Sequence, residues 1–130
     1  MNEDPLSPTV RHLFASLSHA GAALDEPRQA QDESRRVVEG QAGRERLGTR
    51  VRFTLILGDG APPLVRYHAY GCPHTLAVCE WLAREVEAGR AGSVGGPRDW
   101  CRTLGIPIMK LGRLLVVEDA LKAALSAIGR

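Results

Sequence analysis

Cys72 stands where the pattern of the chain changes. In "VRYHAYGCPHTLAVCEWLA", Val65 to Ala83, an alternating run ends at Gly71 and helical spacing starts at Pro73. Proline suits the first turn of a helix, because its missing N–H would have had no partner there. A thiol just ahead of such a turn faces open backbone N–H groups and the positive end of the helix dipole. Both favour thiolate, the form that attacks sulfur and binds metal. His74 lies two residues on, and His68, four residues back, shares strand parity with Cys72. Either ring would raise thiolate character or supply a ligand nitrogen. The plainer alternative is a cysteine packed as a small hydrophobe with two surface histidines beside it. One cysteine with histidines nearby is not in itself a metal signature. The other thiols read differently. Cys79 falls on the apolar stripe of the following helix, and Cys101, between Trp100 and Arg102, reads as core or partly buried.

The elements that must hold Cys72 follow from periodicity. Ser7 caps a helix with Pro8 at its first position, Val10, Leu13, Phe14 and Leu17 share a face, and Gly21 ends it. "AALDEPRQAQDESRR" is polar and aperiodic, so residues around 22–35 read as a poorly structured connection. A short strand is expected at Arg36 to Glu39. "TRVRFTLIL" alternates, with Val51, Phe53, Leu55 and Leu57 on one face, and "LVRYHAY" alternates again after the turn residues "GDGAPP". Residues 50–57 and 64–71 therefore predict an antiparallel hairpin, one face buried and one wet.

The rest of the chain is helical in pattern. Pro73 to Ala88 predicts a helix with Leu76, Cys79, Ala83 and Val86 on one stripe and Thr75, Val78 and Leu82 beside it. Arg84, Glu85 and Glu87 form its polar side. "GRAGSVGG" breaks that helix, and "PRDWCRTLG" predicts a short one from Pro97 to Gly105. "IPIMKLGRLLV" is expected to be extended or a loop, ahead of a final helix over 118–128 carrying Leu121, Leu125 and Ile128. Strands followed by helices point to α+β. The expected fold is a two-layer sandwich: a small antiparallel sheet of two to three strands, covered on one face by helices near 73–88 and 118–128.

Composition narrows the class. A chain of 130 residues suits one domain, 1–130, with one core. A net charge of +2 with both signs interspersed argues against nucleic acid and anionic membranes as partners. No apolar run approaches the roughly 20 residues of a membrane span. "MNEDPLSPTV" is acidic and lacks the layout of a signal peptide, so a cytoplasmic location is expected. Three cysteines, an odd number, are not a disulfide framework.

"YHAYGCPHTLAVCEWLAREVEAG" resembles the central cysteine region of the IscU/NifU N-terminal-domain family of iron–sulfur cluster assembly scaffolds. There too a strand ends in Tyr-Gly-Cys and runs into a helix. "LGIPIMKLGRLLVVEDALKAALSAI" resembles the family's C-terminal segment, which has a Leu-Pro-Pro-Val-Lys motif, then His-Cys, then a helix opening with Glu-Asp-Ala. Pro107 and Lys110 fit that motif, and Glu118, Asp119 and Ala120 fit the helix opening. The hairpin occupies the place of the family's strands, and "PTVRHLF" resembles its N-terminal helix.

The chain departs from the family where the cluster is held. The family uses three cysteines, an aspartate near the first and a histidine beside the third. Only the central one is present, as Cys72. With Gly48 aligned to the glycine after the first cysteine, Leu47 replaces that cysteine and Thr49 the aspartate. Gly112 and Arg113 stand in the place of His-Cys, and Ile108 in that of the motif's second proline. SufE-like sulfur acceptors, which share the fold, keep a Gly-Cys at this junction and use it to take a persulfide from a cysteine desulfurase.

The resemblance implies a part in iron–sulfur cluster biogenesis, as a scaffold or sulfur carrier and not a turnover enzyme. Cys72 would be the sulfur acceptor or a single iron ligand, with His74, His68 and Arg113 around it and Cys101 a further candidate for metal. Pro107 and Lys110 would contact a partner, a cysteine desulfurase or an Hsp70-type chaperone. Any iron or iron–sulfur cluster would not be held stably by a monomer, and the chain would be a monomer or a weak homodimer. Two alternatives stay open. One is a SufE-like acceptor that activates a desulfurase without holding iron. The other is a non-chemical adaptor with a structural Cys72.

Overall fold

The computed structural model describes residues 6–21, 36–58 and 60–129, so the connection expected around 22–35 lies outside the described residues. Three antiparallel strands form one sheet in the order β1 (Arg36–Arg44), β2 (Thr49–Leu57), β3 (Leu64–Tyr70). Helices α1 (Pro8–Phe14), α2 (Pro73–Glu87), α3 (Pro97–Leu104) and α4 (Leu111–Ile128) complete an α+β fold. Helix α2 packs on β3, and α4 crosses β1 and β2. The core lies between those layers. Val51, Phe53 and Leu55 of β2 and Val65 and Tyr67 of β3 meet Val78, Leu82 and Val86 of α2 and Leu114, Val117 and Leu121 of α4. None of the helices among the described residues is long and apolar enough to cross a membrane.

Four expectations are corrected. Helix α1 ends at Phe14 and does not run to Gly21. Beyond it the chain turns to serve the sheet edge: Tyr67 donates its N–H to the His19 carbonyl at 3.1 Å, and Gly21 donates to the Tyr67 carbonyl at 2.9 Å. An edge strand's open backbone groups outweigh one more helical turn there. Strand β1 runs nine residues, well past Glu39, because every residue from Arg36 to Arg44 has a partner on β2. Continuous pairing overrides the poor strand propensity of Gly40 and Gly43. Helix α4 begins at Leu111, seven residues before 118, with only a 3₁₀ turn at Ile108–Lys110 ahead of it. Leu114, Val117, Leu121 and Ala124 are buried at helical spacing, so the core claims a helix where a loop was expected. The outer sheet face is also less wet than the alternation implied, since Thr54 and Ile56 are buried there.

Gly40 marks a close approach of the two layers. A Cβ on it would lie 2.1 Å from the Ala124 nitrogen and 2.6 Å from the Ala120 carbonyl oxygen. Backbone cannot yield as a side-chain tip can. Gly112 is the opposite case, a helical glycine with nothing within 4 Å of its would-be Cβ. Gly40→Ala should therefore cost about 3 kcal/mol. Gly112→Ala should gain about 0.5 kcal/mol from helix propensity. Urea unfolding midpoints of the two variants check both signs, and equal midpoints would contradict the packing described.

Candidate functional site

Strand β3 ends at Tyr70, and Gly71 leads into Cys72, the N-cap of α2, with extended backbone (φ −79°, ψ 170°). Pro73 opens the helix, and the first helical bond runs from the Leu76 N–H to the Cys72 carbonyl at 3.1 Å. The sulfur is partly exposed and lies 3.6 Å from the Thr75 hydroxyl and 3.5 Å from Arg113 Nη1. A Cβ on Gly71 would sit 3.0 Å from the Thr75 Cβ, so glycine there lets the threonine close on the sulfur.

The Cys72 thiol is held below its ordinary pKa. Partial burial pushes it up. The Thr75 hydroxyl, the N–H groups of Thr75 and His74 at the open helix end and the Arg113 charge together pull it down further. Cys79 shows the same residue without those donors. It is fully buried in α2, and burial, then the neighbouring Glu80 charge, push its thiol well up. Cys101 is buried in α3. Burial raises its thiol too, against the pull of Arg98 and Arg102.

Arg113 reaches Cys72 from the first turn of α4 and lines a groove of about 380 Å³. Leu47, Thr49, Met109, Lys110 and Gly112 line it with Arg113. Leu47 ends a 3₁₀ turn, Glu45–Leu47, and is 75% exposed. Gly48 then takes φ 95°, the left-handed region where glycine alone is unstrained. Two segments far apart in sequence, one carrying Leu47 and Thr49 and the other Gly112 and Arg113, thus share one groove, and its arginine touches Cys72.

The histidines are placed apart from each other. His74 is buried in the first turn of α2, and His68 is exposed on the outer sheet face opposite Arg52. Pro107 is half-buried ahead of the 3₁₀ turn and accepts a hydrogen bond from the Lys110 N–H. Among the described residues no three His, Cys, Asp or Glu side chains come together as a group that could hold a metal ion.

One cluster was not read from the sequence. Glu80 of α2 is fully buried and takes hydrogen bonds from Tyr67 Oη (3.0 Å), Arg84 Nε (2.8 Å), His19 Nδ1 (2.6 Å), the His19 N–H (3.0 Å) and Ser18 Oγ (3.3 Å). His19 Nε2 meets Glu87 Oε1 at 2.8 Å, and Glu87 Oε2 accepts the Val65 N–H at 2.8 Å. A signal was available: Glu80 falls on the buried stripe of α2, with Arg84 four residues on.

No protein-family model matches the chain, and no curated protein matches it in sequence.

Two outcomes follow from the site. Cys72 should be the fastest of the three thiols to alkylate at neutral pH, with a rate midpoint below the roughly 8.5 of a free cysteine. Arg113→Glu should move that midpoint up while leaving the circular dichroism spectrum unchanged. Peptide mass spectrometry locates each label, and labelling of Cys72 only after denaturation would contradict the geometry.

Glu80→Gln should cost about 3–5 kcal/mol at neutral pH, because it strands donors built around a charge. Burial pushes the Glu80 carboxyl up, but Arg84 and His19 outweigh it and hold the group below its ordinary value. Its contribution is therefore complete above the unfolded carboxyl value of about 4.3 and is lost as pH falls through the lower folded value. Urea midpoints of the wild type and Glu80→Gln should converge in that acid range.

Proposed function

We propose that this protein takes up sulfane sulfur on Cys72 and carries it in iron–sulfur cluster biogenesis, a scaffold-like chain working with one cysteine where the family has three. The observation that carries the reading is Arg113 Nη1 at 3.5 Å from Cys72 Sγ, at the edge of the groove lined by Leu47, Thr49 and Gly112. Those are the positions that the resemblance aligns with the missing ligands, and their convergence supports it.

The chemistry asks little of the site. The Cys72 thiolate attacks the terminal sulfur of a persulfide on a desulfurase cysteine. A new S–S bond forms, the old one breaks, and its electron pair leaves on the donor cysteine as thiolate. The outer proton crosses with the transferred sulfur and passes to the departing thiolate or to water as the new persulfide ionises, and no net oxidation occurs. Such exchange needs one accessible nucleophilic thiol. Arg113 and the open N–H groups of α2 stabilise the anion before and after transfer.

The donor set does not fit a cluster held within one chain. A [2Fe–2S] centre takes four protein ligands, mostly thiolates. Leu47, Gly112 and Arg113 supply none, and a guanidinium occupies the approach that a metal ion would use. The same contact favours the SufE-like variant of this reading, in which the chain activates the desulfurase and iron is handled elsewhere. The adaptor reading calls for a buried sulfur without polar partners, and Cys72 is neither. A cysteine desulfurase is the partner this chemistry requires. Pro107 and Lys110 flank the exposed Ile108 and Met109, a docking strip beside the groove that an Hsp70-type chaperone would also reach. A free activated thiol suits a reducing compartment such as the cytoplasm.

Anaerobic incubation with a desulfurase, cysteine and iron tests the reading. About one persulfide per chain is expected on Cys72 and none on Cys72→Ser. After gel filtration the monomer should retain far fewer than the roughly two irons of a cluster. Two irons with matching sulfide on a monomer would restore the scaffold role. Absence of Cys72 persulfide beside an active desulfurase would leave the adaptor.

A further inference from the structure

A second groove, of about 440 Å³, opens along β3 and the outer sheet face. Arg50, Arg52, His68, Tyr70, Glu45 and Leu76 are among its walls. Arg50 and Arg52 alternate on β2, and the register sets Tyr70 opposite Arg50 and His68 opposite Arg52. Directly opposed residues hold their Cβ atoms about 5 Å apart, so these four side chains project as one block.

The arginines of this face are treated unequally. Arg66 reaches Glu87 at 3.4 Å. Arg50 is braced by Gln41 Oε1 at 3.2 Å, with Glu45 at 3.6 Å. Arg52 forms no ion pair with any described residue, and its Nε is buried without a hydrogen-bond partner. That nitrogen has no accessible surface, so a ligand in the groove would reach the guanidinium through its terminal Nη groups, which no carboxylate among the described residues answers. Two arginines two residues apart on one face also repel, and among the described residues Glu45 at 3.6 Å from Arg50 is the carboxylate that pairs with either.

We propose that this groove binds the oxyanion of a small organic molecule, a carboxylate or phosphate group, with Arg52 as its principal donor. The planar guanidinium fork of Arg52 matches two oxygens of either group. Arg50, already braced, adds the second positive charge. Tyr70 and His68 offer ring faces and polar edges to the part of the ligand that carries the anion. The volume lies within the roughly 300–1,000 Å³ of small-molecule sites. The site is independent of the sulfur chemistry at Cys72, and either proposal can fail without the other.

The test is titration of the ¹⁵N-labelled protein with pyrophosphate and, separately, with citrate at fixed ionic strength. Saturable shifts are expected at the Arg52 Nε–H and at the His68 and Tyr70 amides. Arg52→Gln should weaken binding about tenfold or more, while Arg66→Gln should leave it within about twofold. Saturation by pyrophosphate alone assigns a phosphate-bearing ligand, by citrate alone a carboxylate, and by both a general oxyanion site. Absence of saturation by either below roughly 10 mM would overturn the proposal. So would unchanged affinity in Arg52→Gln. Should that variant fail to fold, Arg50→Gln and the wild-type shift at the Arg52 Nε–H decide the question.

Discussion

Glu80 has no contact with water, yet five donors hold it as a charged group: Ser18 Oγ, the His19 N–H and ring, Tyr67 Oη and Arg84 Nε. They come from three parts of the chain, the segment after α1, strand β3 and the next turn of α2. A buried carboxylate accepts no approximate arrangement, because each unmet lone pair keeps its desolvation cost. The segment after α1 must therefore leave its helix and lie along β3. Glu87 repeats the arrangement two turns on, taking the other nitrogen of His19 and the Val65 N–H. The His19 ring then has a carboxylate oxygen within hydrogen-bond distance of both nitrogens. Between them the two glutamates close part of the outer edge of β3. That part of the edge is thereby closed to another strand, and β3 is held in place ahead of Cys72.

That fixed end makes a thiol into something more than a core residue. Cys72 and Cys79 lie in one stretch of chain, seven residues apart, and their thiols shift in opposite directions. Burial acts upward on both. Only Cys72 stands at a helix end, where backbone N–H groups have no carbonyl to serve and where a threonine and an arginine complete the ring of donors. Position along the helix separates a thiol that burial pushes up from one that its donors hold down.

The hairpin, α2, α3 and the junction were legible because each has a period that its own residues set. Strand β1 was legible only at its apolar start. "GQAGR" carries little strand character, and its pairing comes from β2, which a local pattern does not show. The start of α4 was hidden by Gly112 and by "LLVV", whose β-branched residues imitate a strand. Its helical stripe emerges only when Leu114 is counted with Leu121 and Ala124. Glu80 was missed for a different reason. A carboxylate is seldom fully buried, and only its place on the apolar stripe, with Arg84 one turn on, marks it. Arg113 was tied to Cys72 through the aligned resemblance alone, since 41 residues separate them and no periodicity spans that distance.

The longer α4 changes what Arg113 means. In a loop it would be one more solvated cation. As the third residue of a helix that has no acid in its first turn, with Lys110 at the N-cap, it adds positive charge where the helix dipole is already positive. Such a placement costs about 0.3–1 kcal/mol per cation unless an anion stands nearby. The anion within reach is the Cys72 sulfur, which is itself the N-cap of α2. One thiolate then answers the open end of α2 and the arginine carried on the first turn of α4, and a neutral thiol answers neither. The electrostatics thus favour the anionic form of Cys72, and the chain segments that meet beside it bring Leu47, Gly112 and Arg113, none of which carries a second thiolate.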